Sequence, residues 1–254
     1  LGNHIVTVGK YDLTSKKGSS NFLIKKISVE DTKKFLRNID ASNKTVMKLN
    51  FIKYFKHFKG GNLNNISANL NFSLEKGFDV EVIDATSHFS NVRFEYNNTI
   101  FKKIISTISG DFKFRLRPRK NNSLFISANF NASDGVVLFG DDNFKYKFNK
   151  ANINSKYEDK NYLISRADFF QNNNLEYSFH NVQVNRGNYK ISKVDFIKDK
   201  VLNYSLKDTI INNMKVIKSL LIFKNNSDFS NFIKRKLNIE FIRDNDLKID
   251  LSGD

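Results

Sequence analysis

"DFKFRLRP", residues 111–118, alternates strictly: Phe112, Phe114 and Leu116 fall on one side of an extended chain, with Lys113, Arg115 and Arg117 on the other. A period of two sends successive side chains to opposite faces of a strand, so the stretch predicts a strand with one apolar and one wet face. Pro118 stands just past the last apolar position, where its missing N–H costs the ladder little. What the apolar side faces, an ordinary core or a ligand, depends on the rest of the chain.

The same alternation recurs outward in both directions, broken by Asn, Gly, Asp and Ser clusters that read as turns. Upstream, Ile66, Ala68, Leu70, Phe72 and Leu74 alternate with polar residues, followed by Phe78, Val80 and Val82, and then by Val92, Phe94 and Tyr96 before Asn97 and Asn98. These predict three consecutive strands in a meander. Downstream, "SLFISANFNA" with Leu124, Ile126, Ala128 and Phe130, "GVVLFG", and "NFKYKFNKANI" with Phe144, Tyr146 and Phe148 repeat the code. In "LEYSFHNVQV" the apolar positions shift from Leu175, Tyr177 and Phe179 to Val182 and Val184, which predicts a bulge near His180.

Strand-to-strand spacings of roughly 10 to 14 residues leave room for short turns and exclude βαβ crossovers through most of the chain. Helical signals are few. Ser28, with Asp31 three residues on and Phe35, Leu36 and Ile39 at helical spacing, predicts an N-cap and a helix. Val46, Leu49, Ile52, Phe55 and Phe58 form a second stripe that ends at Gly60 and Gly61. "SLKDTIINNMKVIKSLL" from Ser205 reads as a third helix, although its β-branched tail also suits a strand, and "SDFSNFIKRK" is a short fourth.

The predicted fold is therefore mostly β: a long twisted antiparallel sheet of ten or so strands with a few short amphipathic helices. Residues 1–254 read as a single β-rich segment of a longer chain, with a helical insertion at 28–58 and a helical segment at 205–236. Two helices cannot cover ten strands, so the sheet is expected to close into a barrel, fold on itself as a sandwich, or curl into a groove. An aromatic-rich face left bare would exceed the few hundred Å² that soluble proteins usually expose.

Catalytic chemistry finds little support. The absence of cysteine removes thiol nucleophiles, thiolate metal sites and disulfides. The histidines, His4, His57, His88 and His180, stand far apart and have no ligand spacing to one another or to carboxylates. Asp141 and Asp142 lie in a turn-like "GDDN", and no Gly-rich phosphate loop is present. A non-catalytic protein without metal or cofactor is expected. The net charge of +16 favours anionic partners such as a membrane surface, nucleic acid or acidic glycan. Single-strand nucleic-acid binding, however, needs aromatic and basic residues on one face, and alternation separates them. No stretch approaches the roughly 18 apolar residues of a spanning helix.

The stretches "SHFSNVRFEYNNTIFKKIISTISGDFKF", "SANFNASDGVVLFGDDNFKYKFNKANI" and "ADFFQNNNLEYSFHNVQVNRGNYKIS", within residues 60–200, resemble the AsmA-like envelope proteins of Gram-negative bacteria, in particular the YhdP-type branch. The resemblance implies a repeating β-groove that shelters phospholipid acyl chains, in a parent chain anchored in the inner membrane and crossing the periplasm. It implies that Phe72, Val80, Phe94, Phe112, Phe114, Leu116, Ile126, Phe130, Tyr146 and Phe148 line the groove. The alternatives are a basic β-sheet module for nucleic acid or acidic glycan, and a structural β domain of a surface protein.

Overall fold

A computed structural model describes residues 5–34, 56–75, 79–97, 101–117, 123–139, 144–158, 161–185, 188–212, 215–224 and 247–252. The described residues are almost entirely antiparallel strand, grouped in two compact units, Leu1–Tyr146 with Tyr157–Asp159 and Lys147–Lys156 with Lys160–Asp254. Among the described residues, strands make their extensive contacts only with hydrogen-bonded neighbours.

The first unit contains β1 (Ile5–Asp12), β2 (Lys17–Ser28), β3 (Phe58–Lys59), β4 (Asn62–Ser73), β5 (Asp79–Tyr96), β6 (Phe101–Arg117) and β7 (Ser123–Phe139). The order is β1-β2-β4-β5-β6-β7, with β3 pairing onto β5 off that path. After β2 the strand gives way to a helical turn. The Ser28 hydroxyl accepts a hydrogen bond from the Asp31 N–H at 3.0 Å, the N-cap its sequence predicts, and residues 29–34 form a helical turn. In β3, Phe58 stands opposite Phe94, and Gly61 then accepts from the Val29 N–H at 3.1 Å.

The second unit contains most of β8 (Phe144–Glu158), then β9 (Asn161–Gln171), β10 (Asn174–Asn185), β11 (Asn188–Lys198), β12 (Val201–Asn212), β13 (Lys215–Phe223) and β14 (Leu247–Ser252), in sequential order. Two of its hairpins close on two-residue turns with both central residues left-handed, Asn172–Asn173 and Asp199–Lys200. That is the turn whose twist matches a right-handed strand pair.

Several expectations are corrected. Val80 and Phe94 lie on one 18-residue strand, β5, and Ile126 and Val136 on one strand, β7, where the sequence suggested separate short strands. Asn91 and Asp134 supply the reason. Each adopts a φ of 50° at a bulge, where two positions on one strand are matched by one on its partner, so the apolar residues change parity without the strand ending. Val82 pairs with Asn71 and lies on the face opposite Val80, because another slip separates the Asn71 and Phe72 pairings. Residues 205–212 and 215–223, read as helical, are strands, in keeping with β-branched Thr209, Ile210, Ile211 and Ile217. Near His180 the register does not slip; Asn181 takes a φ of 49°, and the slip lies between Leu175 and Tyr177. The helical stripe at 46–55, the turn at Asp141 and Asp142, Pro118 and the segment 225–236 lie outside the described residues.

Candidate apolar face and polar ladder

The register of the first unit collects its apolar residues into rows that cross the strands. Phe22, Ala68, Ala85, Phe114 and Ile126 form one row from β2 to β7. Beside it, Leu70 and Ile83 lead to the backbone positions of Leu116 and Leu124, and Phe112 stands opposite Ser87 and Ala128. Phe72 pairs with Val80 and with Gly18. Thus the groove candidates Phe72, Val80, Phe112, Phe114, Ile126 and Phe130, with the position of Leu116, share one face of one unit. Most of the large side chains on it, including Phe22, Leu70, Phe72, Ile83, Phe112 and Ile126, are only half-buried.

Two glycines shape this face. Gly18 lies between Tyr11 and Phe72, and the Phe72 ring fills the space a Cβ would occupy, stacking toward Tyr11 with centroids 6.4 Å apart. Gly110 lies between Phe89 and Phe130 in the register, and those two rings meet across it at 5.5 Å. The Phe89 end of the face is closed. Phe58 of β3 stacks on Phe89 at 5.3 Å, Phe112 meets its ring at 5.7 Å, and Phe89, Val92 and Val29 are fully buried. Phe94, a groove candidate, packs against Phe58 and Tyr96 in this closed part. His57 sits over Tyr96 with its Nδ1 3.1 Å from the Glu95 carbonyl; burial holds its pKa below the ordinary histidine value, aided by the charges of Lys56 and Lys59 against the opposing hydrogen bond.

The opposite face is wet. Lys113 and Arg117 are exposed, and Arg115 donates from Nε to Asp84 on the neighbouring strand. His88 stands 2.9 Å from Asp111 on this side, a histidine–carboxylate contact that sequence spacing does not suggest.

The remaining two candidates lie on β8. Tyr146 is half-buried, and buried Phe148 belongs to an aromatic row of the second unit, meeting Phe169 edge-on at 5.2 Å, as Phe169 meets Phe179 at 5.8 Å. A parallel row runs Tyr177, Phe196, Tyr204 and Phe223, with Phe196 and Tyr204 stacked at 4.2 Å. Burial raises the pKa of both tyrosines above the ordinary phenol value, Glu176 adding to the effect at Tyr177.

The other face of the second unit carries a polar ladder absent from the sequence reading. Asp168, Ser178, Asp195 and Ser205 stand in register on β9 to β12, all four buried. Ser178 donates to Asp168 and Ser205 donates to Asp195 at 2.6 Å. Arg166 binds Asp168 at 2.7 Å, Lys193 binds Asp195 at 2.7 Å, and His180 Nε2 lies 3.0 Å from the Ser178 hydroxyl and 3.4 Å from Asp195. Serine, histidine and aspartate meet here, but the Ser178 proton is directed at Asp168, and Asp195 approaches the same ring nitrogen as the serine. That geometry lacks the orienting contact at the second imidazole nitrogen on which nucleophile activation depends. The ladder instead satisfies buried polar groups in pairs.

Burial pushes the Asp195 carboxyl up, yet hydrogen bonds from Lys193 and Ser205 and the charges of Lys193 and His180 outweigh it and leave its pKa below the ordinary carboxylate value. A lowered folded-state pKa stabilises the fold at pH above the unfolded value, about 4, and that contribution fades as pH falls through the folded value. Asp195→Asn is therefore expected to flatten the acid side of a stability-versus-pH curve below about pH 4. Urea midpoints measured at half-unit intervals from pH 2.5 to 6 check this, and parallel curves for the variant and the parent chain would refute it.

Comparison of the chain with family models, with curated proteins and with solved structures finds no match.

Proposed function

We propose that the apolar face of the first unit shelters the acyl chain of a phospholipid, in a non-catalytic envelope protein of the AsmA-like kind acting in the periplasm of a Gram-negative bacterium between inner and outer membrane. One observation carries the reading: apolar rows cross β2 to β7, their large side chains stay half-buried, and among the described residues strands contact extensively only their hydrogen-bonded neighbours. A face of this kind gains by being covered. An acyl chain of about 16 carbons, at about 0.8 kcal/mol per methylene, faces a barrier on the order of 10 kcal/mol to entering water, so a sheltered apolar path is the principal thing a carrier must supply. No bond needs to be made or broken. The exposed lysines and arginines of the opposite face suit an anionic membrane surface.

Native mass spectrometry with lipid extraction tests the proposal. Phospholipid is expected to accompany the chain, to be lost in Ile126→Asp, and to be retained in Lys113→Asp, which alters the opposite face of an adjacent strand. Far-UV circular dichroism establishes whether each variant folds. Should Ile126→Asp unfold, Leu70→Asn provides a milder change on the same face. A lipid-free chain that binds nucleic acid with steep salt dependence overturns the proposal in favour of a basic binding module.

A further inference from the structure

His180 stands between two hydrogen-bonded pairs of the polar ladder. Ser178 with Asp168 ties β10 to β9, and Ser205 with Asp195 ties β12 to β11. His180 Nε2 is within reach of both pairs, 3.0 Å from the Ser178 hydroxyl and 3.4 Å from Asp195. A neutral imidazole has one donor nitrogen and one acceptor nitrogen, so its tautomer decides whether these two approaches attract.

The groups around the ring leave one answer. Ser178 has a single hydroxyl hydrogen, and it is given to Asp168, which is buried and also accepts from Arg166. The Ser178 oxygen therefore offers His180 only lone pairs. Asp195 accepts from Lys193 and Ser205, and as an ionised carboxylate it has no hydrogen to give. An Nε2 without hydrogen would turn its own lone pair on two acceptors, leaving buried polar groups in repulsion. With hydrogen, the same nitrogen donates to Ser178 and shares that hydrogen with Asp195.

We infer that the ladder fixes His180 in its Nε2–H form, so that one N–H joins the two pairs into a continuous hydrogen-bonded chain across β9, β10, β11 and β12. Every link then has a donor and an acceptor. Arg166 and Ser178 donate to Asp168, His180 donates to Ser178 and Asp195, and Lys193 and Ser205 donate to Asp195. Nδ1 takes no part in the chain, which holds whether the ring is neutral or carries a second hydrogen there. His180 is thus a positioning residue for the junction of β10 and β11, where Phe179 of the aromatic row stands opposite Val194.

Long-range proton–nitrogen correlation NMR of the full chain at about pH 8, where histidine is ordinarily neutral, tests this directly, because protonated and unprotonated ring nitrogens resonate apart. Hydrogen on Nε2 is expected, and hydrogen on Nδ1 alone overturns the inference. Two substitutions give a second readout. In His180→Gln the side-chain amide nitrogen takes the place of Nε2 and donates, whereas the shorter side chain of His180→Asn reaches only as far as Nδ1. Amide hydrogen exchange across residues 178–180 and 193–195 is expected to stay about as slow as in the parent chain in His180→Gln. In His180→Asn it is expected to be about tenfold faster, the effect of losing a hydrogen bond to a charged group. Equal exchange in the two folded variants overturns the bridging role. Far-UV circular dichroism shows whether each variant folds, and the NMR of the parent chain decides the question if either does not.

Discussion

Phe89→Ala is expected to destabilise the first unit by about 3–5 kcal/mol, the range for removing a fully enclosed aromatic ring from a core that cannot collapse around the space. Phe89 is 0% exposed and touches rings from three other strands, Phe58, Phe112 and Phe130, at centroid distances of 5.3 to 5.7 Å. Each such pair adds about 0.5–1.5 kcal/mol beyond area burial. β3 is only two residues long and pairs with the sheet through Phe58 and Lys59, so loss of the ring against Phe58 also loosens β3. By contrast, Phe72→Ala, on the half-buried part of the same face, is expected to cost clearly less. Equilibrium urea denaturation of both variants checks the order. A loss below about 1 kcal/mol for Phe89→Ala would show that its ring is not enclosed, and equal losses would remove the distinction between the closed and half-buried parts of the face.

That distinction was only partly legible in the sequence. Alternation was enough to put Phe112 and Phe114 on one face and Lys113 and Arg117 on the other, because strand geometry fixes side-chain direction from local spacing alone. The Ser28 cap was legible for the same reason: donor and acceptor lie three residues apart. What local spacing does not contain is the register between strands. Phe94 and Phe112 look alike in sequence, but β3 returns over Phe94 and does not reach most of the row containing Phe114 and Ile126. The bulge at Asp134 was misread as a strand end because aspartate favours turns and left-handed φ alike.

The polar ladder was hidden for a related reason. Asp168, Ser178, Asp195 and Ser205 each alternate with apolar residues, and such a pattern predicts a wet face. Their burial comes from one another and from the flanking Arg166, His180 and Lys193, groups brought together by hairpins that pair residues ten positions apart, as with Asp168 and Ser178 or Asp195 and Ser205. A search for paired carboxylates and hydroxyls at hairpin separation, centred on the "NN" and "DK" turns, would have found them.

Gly110→Ala is expected to be at least as damaging to β6 and β7 as the loss of a core side chain, about 3 kcal/mol, whereas Gly18→Ala is expected to cost about 1 kcal/mol. Both glycines have no room for a methyl group, but what occupies the room differs. At Gly110 the added Cβ would overlap the Asn129 carbonyl oxygen and approach the Phe130 Cα at 2.9 Å, and φ is +147°, a conformation L side chains rarely adopt. No rotamer change relieves a clash with backbone, so relief requires β7 to move away from β6 at the pairs that hold Phe112 and Phe130 in place. At Gly18 the obstacle is the far end of the Phe72 side chain, which can swing aside with loss of its stacking on Tyr11. Thermal melts and urea midpoints of the two alanine variants, with amide hydrogen exchange at Asn129 and Phe130, separate the cases. A Gly110→Ala protein as stable as Gly18→Ala, with exchange at Asn129 and Phe130 unchanged, would mean that the close pairing of β6 and β7 at this glycine does not hold the apolar rows together.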